Sequence, residues 1–69
     1  MSTGVKCLLK EIRLKEYMQD NKAEFARFLR TEPHTYAKWE NEESTPTMKK
    51  GLEVAKILNK RIEDIWQLE

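Results

Sequence analysis

The stretch from Phe25 to Asn41, Phe-Ala-Arg-Phe-Leu-Arg-Thr-Glu-Pro-His-Thr-Tyr-Ala-Lys-Trp-Glu-Asn, carries two short runs of helical spacing separated by a single break. Phe25, Ala26 and Leu29 share one face of the first run, and Tyr36 and Trp39 share one face of the second. Pro33 marks the break, because a proline in the first turn of a helix occupies a position whose backbone nitrogen has no helical partner. The second helix therefore begins at Glu32 or Pro33, with Thr31 or Glu32 as its cap. The first is expected over roughly Lys22 to Arg30, capped by Asn21. Two helices joined by so short a turn form a helix-turn-helix.

The flanking sequence supplies the rest of a core. Leu8, Leu9, Ile12, Leu14, Tyr17 and Met18 recur at helical steps among Lys and Glu, which predicts a helix 1 from Leu8 to about Asp20. Residues 1–7 precede it as a loose arm or short extended entry, with Cys7 an apolar filler at the helix start. After a polar loop ending at Pro46, Thr47 caps a helix 4 along which Met48, Leu52, Ala55 and Leu58 step on one face, with Val54 and Ile57 beside it. Gly51 inside that helix costs about 1 kcal/mol against Ala, so a close approach by a neighbouring element is expected there. Asn59 suits the left-handed residue that ends it. Ile62, Ile65 and Trp66 then predict a short helix 5, with Trp66 in the core and Leu68 left open. No segment alternates as a strand would. The expected fold is all-α: a compact five-helix domain over residues 8–69 with the helix-turn-helix formed by helices 2 and 3.

Composition narrows the function. A chain of 69 residues is one domain and buries only about 60% of the surface its unfolded form exposes. Cys7 is the single cysteine and His34 the single histidine, so neither an intrachain disulfide, a metal-ligand spacing nor a nucleophile with its base is available. The expectation is no enzyme, no cofactor, no metal and no small-molecule substrate. No apolar run approaches the roughly 20 residues of a membrane span, and the N-terminus lacks a secretory apolar core, so no membrane partner is expected and the cytoplasm is the expected compartment.

Phe25-Ala26 with Leu29, Tyr36 with Trp39-Glu40-Asn41, Pro46, Ala55-Lys56-Ile57-Leu58-Asn59 and Ile62-Glu63-Asp64-Ile65-Trp66 follow one another in the order and spacing of a known pattern. From about Leu9 to Trp66 the chain resembles the Xre and Cro-repressor family, with its lambda-repressor-like DNA-binding domain. The resemblance implies a transcriptional regulator, a repressor by preference, that inserts helix 3 (about 32–41) into the major groove of double-stranded DNA as a homodimer. It places Glu32, Pro33, His34, Thr35 and Lys38 where members contact bases, and Asn21, Lys22, Asn41, Ser44, Thr45 and Lys49 where they can contact phosphates. Lys38 can donate to guanine O6 or N7, and Glu32 can accept from cytosine N4. Trp39 and Tyr36 belong to the core on this reading.

Departures from the family pattern are specific. Asp20-Asn21-Lys22-Ala23-Glu24 stands where the family has a Gln that clamps phosphate, Arg30 replaces the usual Gly of the turn, and Glu42 the Gly after Asn41. Two registers fit helix 1. With Leu9-Lys10-Glu11-Ile12-Arg13 aligned, two residues are inserted before helix 2 and Arg13 faces Glu40 in the family's buried ion pair. With Leu14-Lys15-Glu16-Tyr17-Met18 aligned, three residues are deleted and Met18 takes that place. The first is preferred because a buried Glu40 carboxylate needs a partner.

Charge supplies the competing reading. The net charge is +1, yet residues 32–43 carry Lys38 against Glu32, Glu40, Glu42 and Glu43, a net −3 on the element meant to approach DNA. The alternative is a helix-turn-helix scaffold used for protein binding, an antitoxin-like or anti-repressor module.

Overall fold

Three helices of this chain each start on a side chain that holds the first turn. In the structure, a computed structural model that describes residues 4–69, Asn21 accepts from the Glu24 N–H, Glu32 from the Thr35 N–H and Thr47 from the Lys50 N–H. These caps set α2 at Lys22–Phe28, α3 at Pro33–Glu40 and α4 at Met48–Leu58. Of the two residues that could open α3, Glu32 is the one that caps it.

The helices end alike. Arg30, Glu42 and Asn59 follow α2, α3 and α4 with φ of 59°, 60° and 55°, and the next N–H in each case bonds back five residues: Thr31 to Ala26, Glu43 to Lys38 and Lys60 to Ala55. Glycine usually fills this left-handed position, but here none does.

Helix 1 is built differently from an ordinary amphipathic helix. α1, Leu9–Glu11, runs directly into a π-helical turn, Ile12–Glu16, in which the Tyr17 N–H bonds Ile12 O at 3.2 Å. The segment closes on Met18 at φ 49°. A π turn takes up more residues than an α turn over the same height, which rotates the later side chains off the inner face. Leu9, Ile12 and Arg13 are buried, whereas Leu14, Tyr17 and Met18 are exposed, contrary to the expectation that all the apolar residues of this helix face inward. α4 is also turned from the expected face: Gly51, Val54, Ala55 and Leu58 are buried, and Met48 and Leu52 point outward. At Gly51 an added Cβ would meet Ile62 Cδ1 at 3.0 Å, the close approach expected of a glycine inside a helix.

The five-helix all-α expectation is overturned at both ends of the chain. Ile62–Asp64 is a single 3₁₀ turn, and the residues after it form a strand β2, Trp66–Leu68, paired antiparallel with β1, Val5–Cys7, out of the segment expected to be an arm. The register is Val5 with Leu68, Lys6 with Gln67 and Cys7 with Trp66. Flanking bonds extend the ladder, Leu8 N–H to Ile65 O at 2.8 Å and Glu69 N–H to Gly4 O at 3.1 Å. A fifth helix would have left the backbone of residues 5–8 without these partners.

Ile65 is fully buried just before β2, and Cys7 is buried just before α1. Burial pushes the Cys7 thiol up to about 11, so it stays protonated and behaves as an apolar group. The core otherwise gathers Leu9, Ile12, Phe25, Ala26, Leu29, Tyr36, Trp39, Val54, Ala55 and Leu58. Aromatic contacts thread it: Phe28 and Phe25 meet Tyr17, Phe25 meets Tyr36, Tyr36 meets Trp39, and Trp39 meets Trp66 edge to face at 6.0 Å.

Candidate nucleic-acid interface

The inner side of α3 is fixed by a charged cluster. Arg13 Nε donates to Glu40 Oε2 at 2.9 Å and Nη2 reaches Oε1 at 3.4 Å, with both side chains almost wholly buried. Arg13 Nη1 donates to the carbonyls of Gln19 and Asp20, and the Tyr36 hydroxyl donates to Glu40. Helix 1, the loop before α2 and the end of α3 are thereby tied through one guanidinium, the arrangement of the first helix 1 register. Burial by itself would raise the Glu40 carboxyl, but the Arg13 and Tyr36 hydrogen bonds and the charges of Arg13 and Lys22 bring it below the ordinary carboxylate value. The bond to Glu40 holds the Arg13 guanidinium above its ordinary value. Tyr36 is driven strongly upward by burial and by Glu40, so it remains a donor.

On the outer side of α3, His34 and Lys38 are exposed and have no ion-pair partner among the described residues. Thr35 is exposed beside them, with Pro33 and Ala37 half-buried. Glu32 and Thr35 are partly committed to the helix itself. The Glu32 carboxylate accepts from the Thr35 N–H at 3.0 Å and from Thr35 Oγ1 at 3.2 Å, and bonds to the backbone of His34 and Thr35 hold it below the ordinary carboxylate value. An acceptor folded over its own helix end is poorly placed to reach out to cytosine.

The phosphate candidates lie on three segments. Asn21 uses Oδ1 to cap α2, and Lys22, half-exposed, holds Nζ 3.8 Å from Glu40 Oε1. Asn41 ends α3 and donates to Glu43 at 3.3 Å. Ser44 is half-buried and Thr45 exposed in the loop, and Lys49 is exposed in the first turn of α4. That first turn contains no acidic residue, so the positive end of the α4 dipole lies beside Lys49.

Two contacts were not legible in the sequence. The Glu42 carboxylate accepts from the Cys7 N–H at 3.0 Å, which ties the end of α3 to β1. The only sequence signal was an acid at a position that favours glycine. Lys50 Nζ donates to Arg30 O at 2.6 Å and approaches Leu29 O at 3.4 Å, closing the carbonyl end of α2 from α4. No spacing rule links positions so far apart.

Among the described residues no group of His, Cys, Asp and Glu side chains has the arrangement to hold a metal ion, and no helix is long and apolar enough to cross a membrane. No family model matches the chain, and no curated protein matches it.

Proposed function

We propose that this chain is a sequence-specific DNA-binding regulator of transcription that presents α3 to the major groove. His34 and Lys38 read base edges, and Lys22, Asn41, Thr45 and Lys49 meet the flanking phosphates. The observation that carries the reading is the placement of the acids of residues 32–43. Glu40 is buried against Arg13, Glu42 is turned onto the Cys7 N–H and Glu32 is folded over the first turn of α3. Glu43 is left in the exposed loop. Two of the four acids, Glu40 and Glu42, are therefore directed away from the exposed His34 and Lys38, and Glu32 is engaged by the backbone of His34 and Thr35. Positioning falls to phosphate contacts and discrimination to base contacts.

Selection from random duplexes at low salt tests the reading. A discrete sequence is expected to be enriched, and Lys38→Ala is expected to relax preference at one base position by about 1 to 3 kcal/mol. Enrichment of no sequence at low salt overturns it.

A further inference from the structure

The two edges of the small sheet are unlike. The flanking bonds from Leu8 to Ile65 and from Glu69 to Gly4 set the alternation of the ladder, so that Lys6 and Gln67 face each other's hydrogen-bonding groups. Cys7 on β1, and Trp66 and Leu68 on β2, then turn their N–H and C=O groups away from the partner strand. On β1 that edge is occupied at Cys7, whose N–H is held by the Glu42 carboxylate at 3.0 Å. On β2 the outward backbone groups of Trp66 and Leu68 have no partner among the described residues.

Open edges are ordinarily guarded by a charge, a proline or a bulge. Trp66, Gln67 and Leu68 carry none of these, and Leu68 is the most exposed large apolar residue described, at 89%. Its side chain lies on the same sheet face as Val5 and Trp66, which line an apolar groove of about 270 Å³ with Pro46, Met48, Gly51 and Ile62.

We infer that the outer edge of β2 pairs with β2 of a second copy of this chain, antiparallel about Gln67, to join the two small sheets into one of four strands. The edge is self-complementary. With Gln67 on the two-fold axis, Trp66 faces Leu68 of the partner subunit, and both are residues whose hydrogen-bonding groups point outward. Leu68 of the partner subunit then lies beside Trp66 on the face that carries the groove, and each copy covers apolar surface of the other. The residues meeting at the axis are uncharged glutamines, so pairing brings no like charges together. A second copy is favoured over a foreign strand because one register satisfies both edges at once. The inference does not rest on the DNA-binding reading.

Sedimentation equilibrium of the protein without DNA, from low to high micromolar, is expected to show a reversible monomer–dimer equilibrium. Leu68→Pro removes an outward N–H that the internal ladder does not use, and is expected to weaken the dimer roughly tenfold or more through the two lost hydrogen bonds. Leu68→Lys, which keeps the backbone intact, is expected to act in the same direction. Gln67→Cys is expected to oxidise to a disulfide-linked dimer, because facing residues of such a pair lie within the Cα separation a disulfide needs. Lys6→Cys, about 14 Å from its symmetry mate across three strand spacings, is not. A chain that stays monomeric at high micromolar, or a dimer insensitive to both Leu68 variants and not trapped through Gln67→Cys, overturns the inference. If Leu68→Pro does not fold, Leu68→Lys and the cross-link decide it.

Discussion

Arg13 and Glu40, 27 positions apart, form a buried pair at 2.9 Å that also gathers the Tyr36 hydroxyl and the carbonyls of Gln19 and Asp20. Removing one member strands the other in the interior. Arg13→Met is expected to destabilise the domain by about 3 to 5 kcal/mol in urea denaturation. The double change Arg13→Met with Glu40→Gln recovers part of that loss, because the buried charge is gone and Tyr36 keeps an acceptor. A double variant no more stable than Arg13→Met shows that charge burial is not the cause.

The same pair sets a pH dependence. In the unfolded chain Glu40 titrates near the ordinary carboxylate value of 4.5, and in the folded protein it titrates lower. The unfolded chain therefore takes up this proton first. The contribution of the pair is complete above that value and is lost as the pH falls through the folded value. Thermal melts from pH 7 down to pH 3 are expected to show falling stability below about pH 4.5, with a shallower fall in Glu40→Gln. Parallel pH profiles for the two proteins contradict this.

Left-handed residues other than glycine end the helices, and relief of that strain depends on what else the side chain does. Met18, at φ 49°, is 84% exposed, and Met18→Gly is expected to raise stability by up to about 1 kcal/mol. Glu42, at φ 60°, holds the Cys7 N–H, so Glu42→Gly loses an acceptor along with the strain and is expected to fall below Met18→Gly. The reverse order in chemical denaturation means that the Glu42 bond contributes nothing.

Gly51 is held by the nearness of Ile62. Gly51→Ala gains about 1 kcal/mol of helix propensity but brings its Cβ to 3.0 Å from Ile62 Cδ1, so the change is expected to be close to neutral. Ile62→Val deletes that terminal methyl group. The double variant is therefore expected to be more stable than Ile62→Val alone by most of the propensity gain. Strict additivity of the two single changes would remove Ile62 as the reason for the glycine.

Local chemistry explains which parts of this fold could be read in advance. Asn21, Thr47, Pro33 and Asn59 each act within a few residues of their own position, so the starts of α2, α3 and α4 and the end of α4 follow from the sequence, whereas α2 stops at Phe28, short of the expected Arg30. So do the inner faces of α2 and α3, where Phe25, Ala26, Leu29, Tyr36 and Trp39 repeat at helical steps. The strands were not legible because each is three residues long, too short for alternation to show, and their pairing joins opposite ends of the chain. The π turn hid for a related reason: Leu14, Tyr17 and Met18 keep the spacing of a helical face although the backbone has stepped off it. At the candidate interface, residue types marked His34 and Lys38 as groups able to meet a base. That Glu32 would fold over its own helix, and that Glu42 would reach β1, depended on contacts made only once the chain had closed.

The edge-to-face contact of Trp39 with Trp66 at 6.0 Å joins α3 to β2 through the only two indoles of the chain. Both emitters thus sit on a seam between α3 and the sheet. Any event that shifts one against the other, at either surface, will alter the intrinsic fluorescence without an added label. The protein carries its own optical gauge of whether its two ends move together.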